Sequence, residues 1–567
     1  MDNNKPIEKK NANNERGAAL VMVLIISTLL LIVGGSLLLS ASVNTANVTD
    51  SLSEQQAYYA AESGLNTALN VLRGNVVASS LFDSTALPSA AVNKITYRKA
   101  VTKADSNAPN DSALEARLSR WITYKYSGNA SDRVGIGEAT SNTDFRLSIE
   151  QTSNNNDNVT FSTTGTVNGL SQYSIQNGKV IIKFVGKNTN DINVSSGFAD
   201  TNIGNFDIKV TGGGASLDQD VRFSIVYQMT APNKASRVLR GWIRSSDSNI
   251  TLGSVGNLKF EFDAPYFELT GSKINITPQS VTPNPPNVSG GLTPINVRVT
   301  PPEPQRLVIR STGFGPRGAR KQLEAIVQKD LFGGLYAPAT LTMVGSQTGF
   351  YFNQGNSNVT TYSGKDLTTP MMIPPIGTAV PGFNIDALAT QIASSNVNMV
   401  GYPGDVTAET PDWLKTAAEL NATISQLRLI AQSTGRYYAS GVTPPNFGDF
   451  ATGKGITFID GNAELQQQDG GGILVCTGTL TFHGAYNFKG LIIVTGAGGI
   501  KRSGGGNGNL LGNLVVAPYN PNNLAAGFLG PKYDLSGGGV STIRYDSSSV
   551  FNGLEALDNI VIGLAEK

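Results

Sequence analysis

The chain has 567 residues, with 43 Lys and Arg against 42 Asp and Glu, a formal charge of +1 and only 15% charged residues. That balance excludes a protein that binds nucleic acid by bulk positive charge, and the single cysteine, Cys476, excludes an intrachain disulfide framework. Gly at 63 positions, with frequent Asn, Ser and Thr, reads as an exported β protein long enough for two or three cores.

The first element is a charge-free run from Ala18 to Thr49, directly after Arg16-Gly17. Its Ala18–Leu39 part is about 22 residues, or roughly 33 Å as helix, enough to cross a hydrocarbon core of about 30 Å. The polar stretch before it carries Lys5, Lys9, Lys10 and Arg16, which sets the amino end in the cytoplasm. A secretory signal has a shorter apolar core, about 7–15 residues, and then a small-x-small cleavage site. Here the helical period continues instead: Ala57, Ala61, Leu65, Ala68 and Leu72 fall at steps of three or four, and Gly74 is a natural stop. The spacing predicts one helix from Ala18 to about Arg73, roughly 80 Å long, half in lipid and half projecting.

Arg16-Gly17 before Ala18-Ala19-Leu20-Val21, the charge-free run, and Ala57-Tyr58-Tyr59-Ala60-Ala61-Glu62-Ser63-Gly64-Leu65 together resemble the type IV pilin-like proteins. The last block is similar to the N-terminal helix of the PilX-type minor pilins. The resemblance implies a leader at 1–17, cut by a prepilin peptidase between Gly17 and Ala18, and N-methylation of Ala18. It implies a pilin helix at 18–74 that packs through Met22, Ala57, Ala61, Glu62, Leu65 and Ala68. The implied partners are other pilins and the inner-membrane assembly machinery, and the implied location is the inner membrane and then the pilus or cell surface. One position departs from the family: most members carry Glu at the fifth mature residue, where this chain has Met22. That Glu neutralises a neighbour's terminal ammonium, and a buried charge without a partner is costly. A subunit lacking it is a poor repeating unit and is expected at a filament tip; Met22 as an ordinary lipid-facing residue of a single-span anchor is the alternative.

Residues 75–330 read as short strands between polar loops, forming a β-rich head. Gly178–Val185 is apolar almost throughout; in Val221–Met229, residues Val221, Phe223, Ile225, Tyr227 and Met229 share one face; Asn257–Asp263 alternates. The Asn-rich loop 153–158 and the Pro-rich connector Val281–Val288 separate strands. These strands are expected to form an antiparallel sheet on the C-terminal half of the long helix, with Ala57, Ala61 and Ala68 allowing close approach. Gly313-x-Gly315-x-x-Gly318 formally matches a dinucleotide fingerprint, but Pro316 lies inside the loop and Leu323, Ala325 and Val327 alternate after it. A β-hairpin is predicted instead.

Residues 331–567 form the second predicted domain. A helix is expected near 410–432, with Thr410 as N-cap and Pro411 at its first position. Gly455–Ile459, Gly472–Cys476, Gly490–Val494 and Asn513–Ala517 are similar apolar strands, starting 17, 18 and 23 residues apart. Periods near 20 with Gly at corners point to a β-solenoid-like domain, in which Thr479–Phe482 is a second, minor strand; an ordinary β-sandwich with Gly-rich turns is the alternative. The fold class is thus α+β, mostly β. Gly470–Val475, Gly490–Val494, Asp534–Gly539 and Ile543–Asp546 also resemble the C-terminal part of large PilX-type proteins.

Little in the sequence suggests catalysis. His483 is the only histidine, and no nucleophile-elbow motif accompanies it. One Cys and one His make a conventional zinc site untenable, and no EF-hand spacing is present. Asp460, Glu464 and Asp469 show no repeated alignment that would suit a glycosidase. No catalytic residues, cofactor or metal are expected. Two basic groups remain as candidate DNA contacts: Lys234, Arg237, Arg240 and Arg244 around Trp242, and Arg306, Arg310, Arg317, Arg320 and Lys321. Spaced cations and an aromatic could hold phosphates and a base; outward strand positions would give the same pattern. The expected function is a non-enzymatic minor pilin-like subunit at a pilus tip, acting in assembly and in surface or ligand attachment. A loose similarity to competence-associated minor pilins makes DNA capture an alternative.

Overall fold

The computed structural model describes residues 13–76, 97, 133–136 and 143–567, with breaks at 152–157, 195–196, 246–247, 270–273, 287–289, 303, 305, 331–334, 356–359, 443, 538 and 555–557. The predicted leader up to residue 12 and the Asn-rich loop at 153–157 lie outside the described residues. The chain is mostly β, with antiparallel sheets and one long N-terminal helix.

That helix runs Asn13–Leu72, 60 residues and about 90 Å. It begins five residues before the expected start and ends where Gly74, at φ 77°, turns the chain away. An antiparallel five-stranded sheet packs on its C-terminal third, in the order Val134–Gly135, Asp144–Gln151, Arg306–Phe314, Arg320–Asp330, Asp558–Glu566. Leu65, Ala68, Leu69 and Leu72 join Phe145, Leu147, Ile149, Leu307, Ile309, Ala325 and Val327 in one core. Burying each large aliphatic side chain here contributes roughly 1.5–3 kcal/mol. The approach is close because both surfaces are small. A Cβ at Gly313 would lie 2.0 Å from the Ala57 carbonyl oxygen, and one at Gly315 would lie 2.4 Å from that of Ser53. From the helix side, a Cβ at Gly64 would meet Ser311 Oγ at 2.4 Å and Phe145 at 2.6 Å. The predicted hairpin is present as Arg306–Phe314 paired with Arg320–Asp330. Its three glycines are explained by packing and by backbone geometry: Gly313 and Gly315 admit the helix, and Gly318, at φ 80°, makes the turn.

The strands expected on the helix lie elsewhere. Those at Val180–Gly186, Val221–Ala231 and Lys259–Phe262 belong to a separate antiparallel sandwich, one sheet of five strands facing one of six. Its core holds Phe161, Phe206, Phe223, Ile225, Tyr227, Leu239 and Val297, with Phe206 stacked on Phe260 at 4.4 Å between ring centres. Val221, Phe223, Ile225, Tyr227 and Met229 share its inner face as the alternation predicts. The sandwich is inserted between two neighbouring strands of the helix-bound sheet, because Gln151 pairs with Leu307 across the point where the chain leaves and returns.

The C-terminal region is inserted in the same way: Asp330 pairs with Asp558, and everything between them loops out of the sheet. The boundary expected at 330/331 therefore does not end the head, since Asp558–Glu566 returns to complete it. Within the insertion all the named strand pairings are parallel. One sheet runs through Ile456–Ile459, Asp469–Cys476, Tyr486–Val494 and Asn507–Val516. The other runs through Ala463–Gln466, Leu480–His483, Ile500–Ser503 and Lys532–Asp534. Ile456 aligns with Ile473, and Gly472 aligns with Gly490 and then Gly512, so the recurring apolar runs of the sequence stack on one another. In the fourth, the position equivalent to Gly472 and Gly490 is Gly512, one residue before the expected Asn513. The minor strand expected at Thr479–Phe482 lies in the second sheet as Leu480–His483.

Leu474, Cys476, Ile492, Val494, Leu514 and Val516 point between the two sheets, toward Leu465, Phe482, Ile500 and Tyr533. The alternate residues Ile473, Val475, Leu491, Ile493 and Val515 are covered by Leu420, Ile424 and Leu427 of a helix. Burial on both faces is why these strands read as unbroken apolar runs. That covering helix is Ala417–Ser433, shorter than expected. Thr410 and Pro411 instead precede a 3-10 turn, Asp412–Leu414. The true N-cap is Thr416: its hydroxyl accepts the Glu419 backbone N–H at 3.2 Å and donates to the Glu419 carboxylate at 3.0 Å. This is a side-chain N-cap at the N3 backbone N–H, with the Glu419 carboxylate held on the capping hydroxyl.

Candidate anchoring helix and candidate nucleic-acid contacts

The long helix is two surfaces in series. From Gly17 to Leu52, about 54 Å of helix, no residue is buried. Large apolar side chains such as Leu20, Ile25, Leu30 and Leu38 point outward all round it, and the mean hydropathy reaches 2.7. Met22 is 66% exposed. Ser27, Thr28 and Ser36 return their hydroxyl protons to carbonyls three or four residues back, so their polar groups are satisfied within the helix. A helix with apolar residues on every side is stable in lipid or among other such helices. The Gly17–Ala18 bond lies inside this exposed helix.

From Ser53 onward the surface becomes one-sided. Ser53, Ala57, Ala60, Ala61, Gly64, Leu65, Ala68 and Leu72 are buried against the sheet. Ala57, Ala61, Leu65 and Ala68 are where the sequence predicts them. Glu62 is not: it lies about 140° round the helix from Ala57 and faces solvent. The buried set also includes Ala60 and Gly64, which pack on Gly313 and on Ser311 with Phe145 respectively, while Gly315, partly exposed, meets Ser53 and Ala57. Nothing in the helix alone identifies those partners, although small residues at helical spacing are the signal on its own side.

The first basic group is largely neutralised by acids distant in sequence. Arg237 and Arg240 are buried, and both pair with Glu409, at 3.4 and 2.6 Å. Neither can reach a phosphate. Arg244 pairs with Asp220 at 2.7 Å and Glu261 at 2.9 Å, which raises its already high pKa. The Ser245 backbone N–H, ahead of Arg244, holds the Asp220 carboxyl below its usual range. Trp242 is only partly exposed, with Arg222 at 4.6 Å over its ring and Tyr402 set edge-on at 5.8 Å. Lys234 is exposed.

The second basic group serves the helix and the sheet. Arg310 lies between Glu324 and Glu150, at 2.7 Å from each. Lys567 first, and then Arg310, hold the Glu324 carboxyl low. Arg317 reaches Asp50 of the helix at 3.4 Å, and Lys321 reaches Glu566 at 3.1 Å and Glu54 at 3.7 Å. Arg306 donates to Gln328, and Arg320 lies 5.9 Å over Phe314. The two groups thus belong to different sheets, the first to the sandwich and the second to the helix-bound sheet. Glu409, Glu150, Glu324, Asp50 and Glu54 are the residues sequence reasoning missed.

His483 sits on an outer strand position, its Nδ1 3.0 Å from Ser503 Oγ and 3.2 Å from Glu464. Acid and hydroxyl meet the same ring nitrogen, so the three do not form a relay, which needs the two nitrogens used separately. Burial pushes the Cys476 thiol up to about 12, and its sulfur contacts the Gly461 carbonyl at 3.2 Å; such a thiol does not ionise near neutrality. Among the described residues no three His, Cys, Asp or Glu side chains converge as a metal site would need. Comparisons with protein-family models, with curated proteins and with solved structures find no match for this chain.

Proposed function

We propose that this chain is a non-enzymatic, membrane-anchored minor pilin-like subunit, with its head at a filament tip. One observation carries the reading: a single unbroken helix is apolar on every side from Ala18 to Leu39, stays bare as far as Leu52, and is sealed to an antiparallel sheet by an Ala/Gly seam over its last third. Such a rod meets lipid tails or neighbouring helices at equal cost, because both are apolar surroundings. It can therefore leave a bilayer for a fibre without refolding. Met22 at the fifth mature position leaves this subunit without a carboxylate to neutralise a neighbour's terminal ammonium, which favours an end position. The stacked parallel strands are, in this reading, a β-solenoid that the head carries outward for attachment to a surface or to other proteins. DNA capture is disfavoured by the ion pairs that occupy most of the candidate contacts.

Mass spectrometry of the mature N-terminus tests the proposal. A methylated Ala18, together with recovery of the polypeptide in sheared filaments, is the expected result. An intact Met1 or a cut beyond residue 40 overturns it and leaves a single-span surface protein. Retention on immobilised DNA at low salt that falls steeply with added salt would restore the DNA reading.

A further inference from the structure

The two inserted bodies meet around one buried carboxylate. Glu409 stands on a 3-10 turn, Thr407–Glu409, of the parallel region, with its side chain 1% exposed. One oxygen accepts Arg240 Nη2 at 2.6 Å, and the other lies 3.4 Å from Arg237 Nε and accepts the Val238 backbone N–H at 3.0 Å. Both arginines belong to the sandwich strand Ala235–Arg244, and their side chains are 4% and 7% exposed. The surrounding contacts cross the same boundary: Arg240 donates to the Asp405 carbonyl at 2.7 Å, and the Ser236 hydroxyl donates to the Ala408 carbonyl. Beside them Arg222, held by Asp263 through two bonds of 2.8 and 2.7 Å, lies over both Trp242 and Tyr402. A cavity of about 10 Å³ next to the arginines leaves room for a single water.

Two guanidiniums buried with one carboxylate are stable only while all three stay together, because removing one leaves a desolvated charge without its partner. Each body is also fixed to the head sheet where its chain leaves and returns, at Gln151/Leu307 and Asp330/Asp558. We infer that Glu409 is the pin of a clamp that fixes the sandwich and the parallel region at one angle, so that the two insertions behave as a single rigid head.

Distance measurement between spin labels tests this on the full chain in detergent micelles. Labels go on Leu170→Cys in the sandwich and Leu429→Cys in the Ala417–Ser433 helix, both exposed, in a Cys476→Ser background. The parent should give one narrow distance distribution, and Glu409→Gln should widen it at least twofold. Arg240→Gln, on the opposite body, should widen it equally. Replacing Arg237, Arg240 and Glu409 together by Met should restore a narrow distribution, since a well-packed apolar triad can stand in for a buried ionic one. A distribution as narrow as the parent's in either Gln variant that retains its circular-dichroism spectrum overturns the clamp. Placing the two Gln substitutions on separate bodies keeps the test decisive if one of them fails to fold.

Discussion

The two halves of the long helix share a backbone conformation and almost nothing else. Between Gly17 and Leu52 no side chain is buried, and as far as Leu39 most are large and aliphatic; between Ser53 and Leu72 the face toward the sheet is built from Ala, Gly and Ser with a few leucines at the end. The first half is suited to surroundings that close around any shape, such as lipid tails or other apolar helices. The second half is matched to one rigid partner, which it approaches to backbone contact. Helix propensity alone does not distinguish them; what each half meets decides which residues it can carry.

The sharpest way to break this contrast is to thicken the seam. Gly313→Val would place a branched side chain into the Ala57 and Ala61 backbone, and should cost about 3 kcal/mol or more. Thermal unfolding and hydrogen exchange of the Arg306–Phe314 strand would register it. On the other half, Leu30→Arg should leave the head's melting unchanged while weakening membrane partition by roughly 100-fold, from an insertion penalty of about 2.5–3.5 kcal/mol; carbonate extraction of membranes reads this directly. Arg310→Gln leaves Glu150 and Glu324 without their shared partner and should destabilise the sheet by about 1 kcal/mol, less at high salt. Tyr59→Ala, on the exposed face between two buried alanines, should change stability by less than about 0.5 kcal/mol. An equal response to Gly313→Val and Tyr59→Ala would show that the seam does not discriminate between its faces.

The features legible in the sequence are those whose cause is local. The helix, its small-residue stripe, the hairpin around Gly313–Gly318, the alternation of Val221–Met229 and the recurring apolar runs from Gly455 onward all follow from spacing within one segment. Thr416 and Glu419, three apart, are an equally local signal, but Pro411 starts a 3-10 turn rather than the helix. What stayed hidden required pairing across long stretches of chain. No periodicity reveals that Asp558–Glu566 completes a sheet begun at Val134, or that the strands of 158–299 leave that sheet to build a sandwich. The candidate cations failed for the same reason. Arg237 and Arg240 have no acid near them along the chain, while Glu409, about 170 residues on, lies between them in space. A basic run read in one dimension says nothing about which of its charges are free.

The adjacency of Asp330 to Asp558, and of Gln151 to Leu307, has a practical outcome. Each large body occupies the position of a hairpin loop, entering and leaving through neighbouring rungs of a small platform. Either one is then an exchangeable cassette: a short turn joining its two ends would preserve the register of the strands it interrupts. Lineages or engineers could trade what such a subunit presents to the outside world while keeping its root intact.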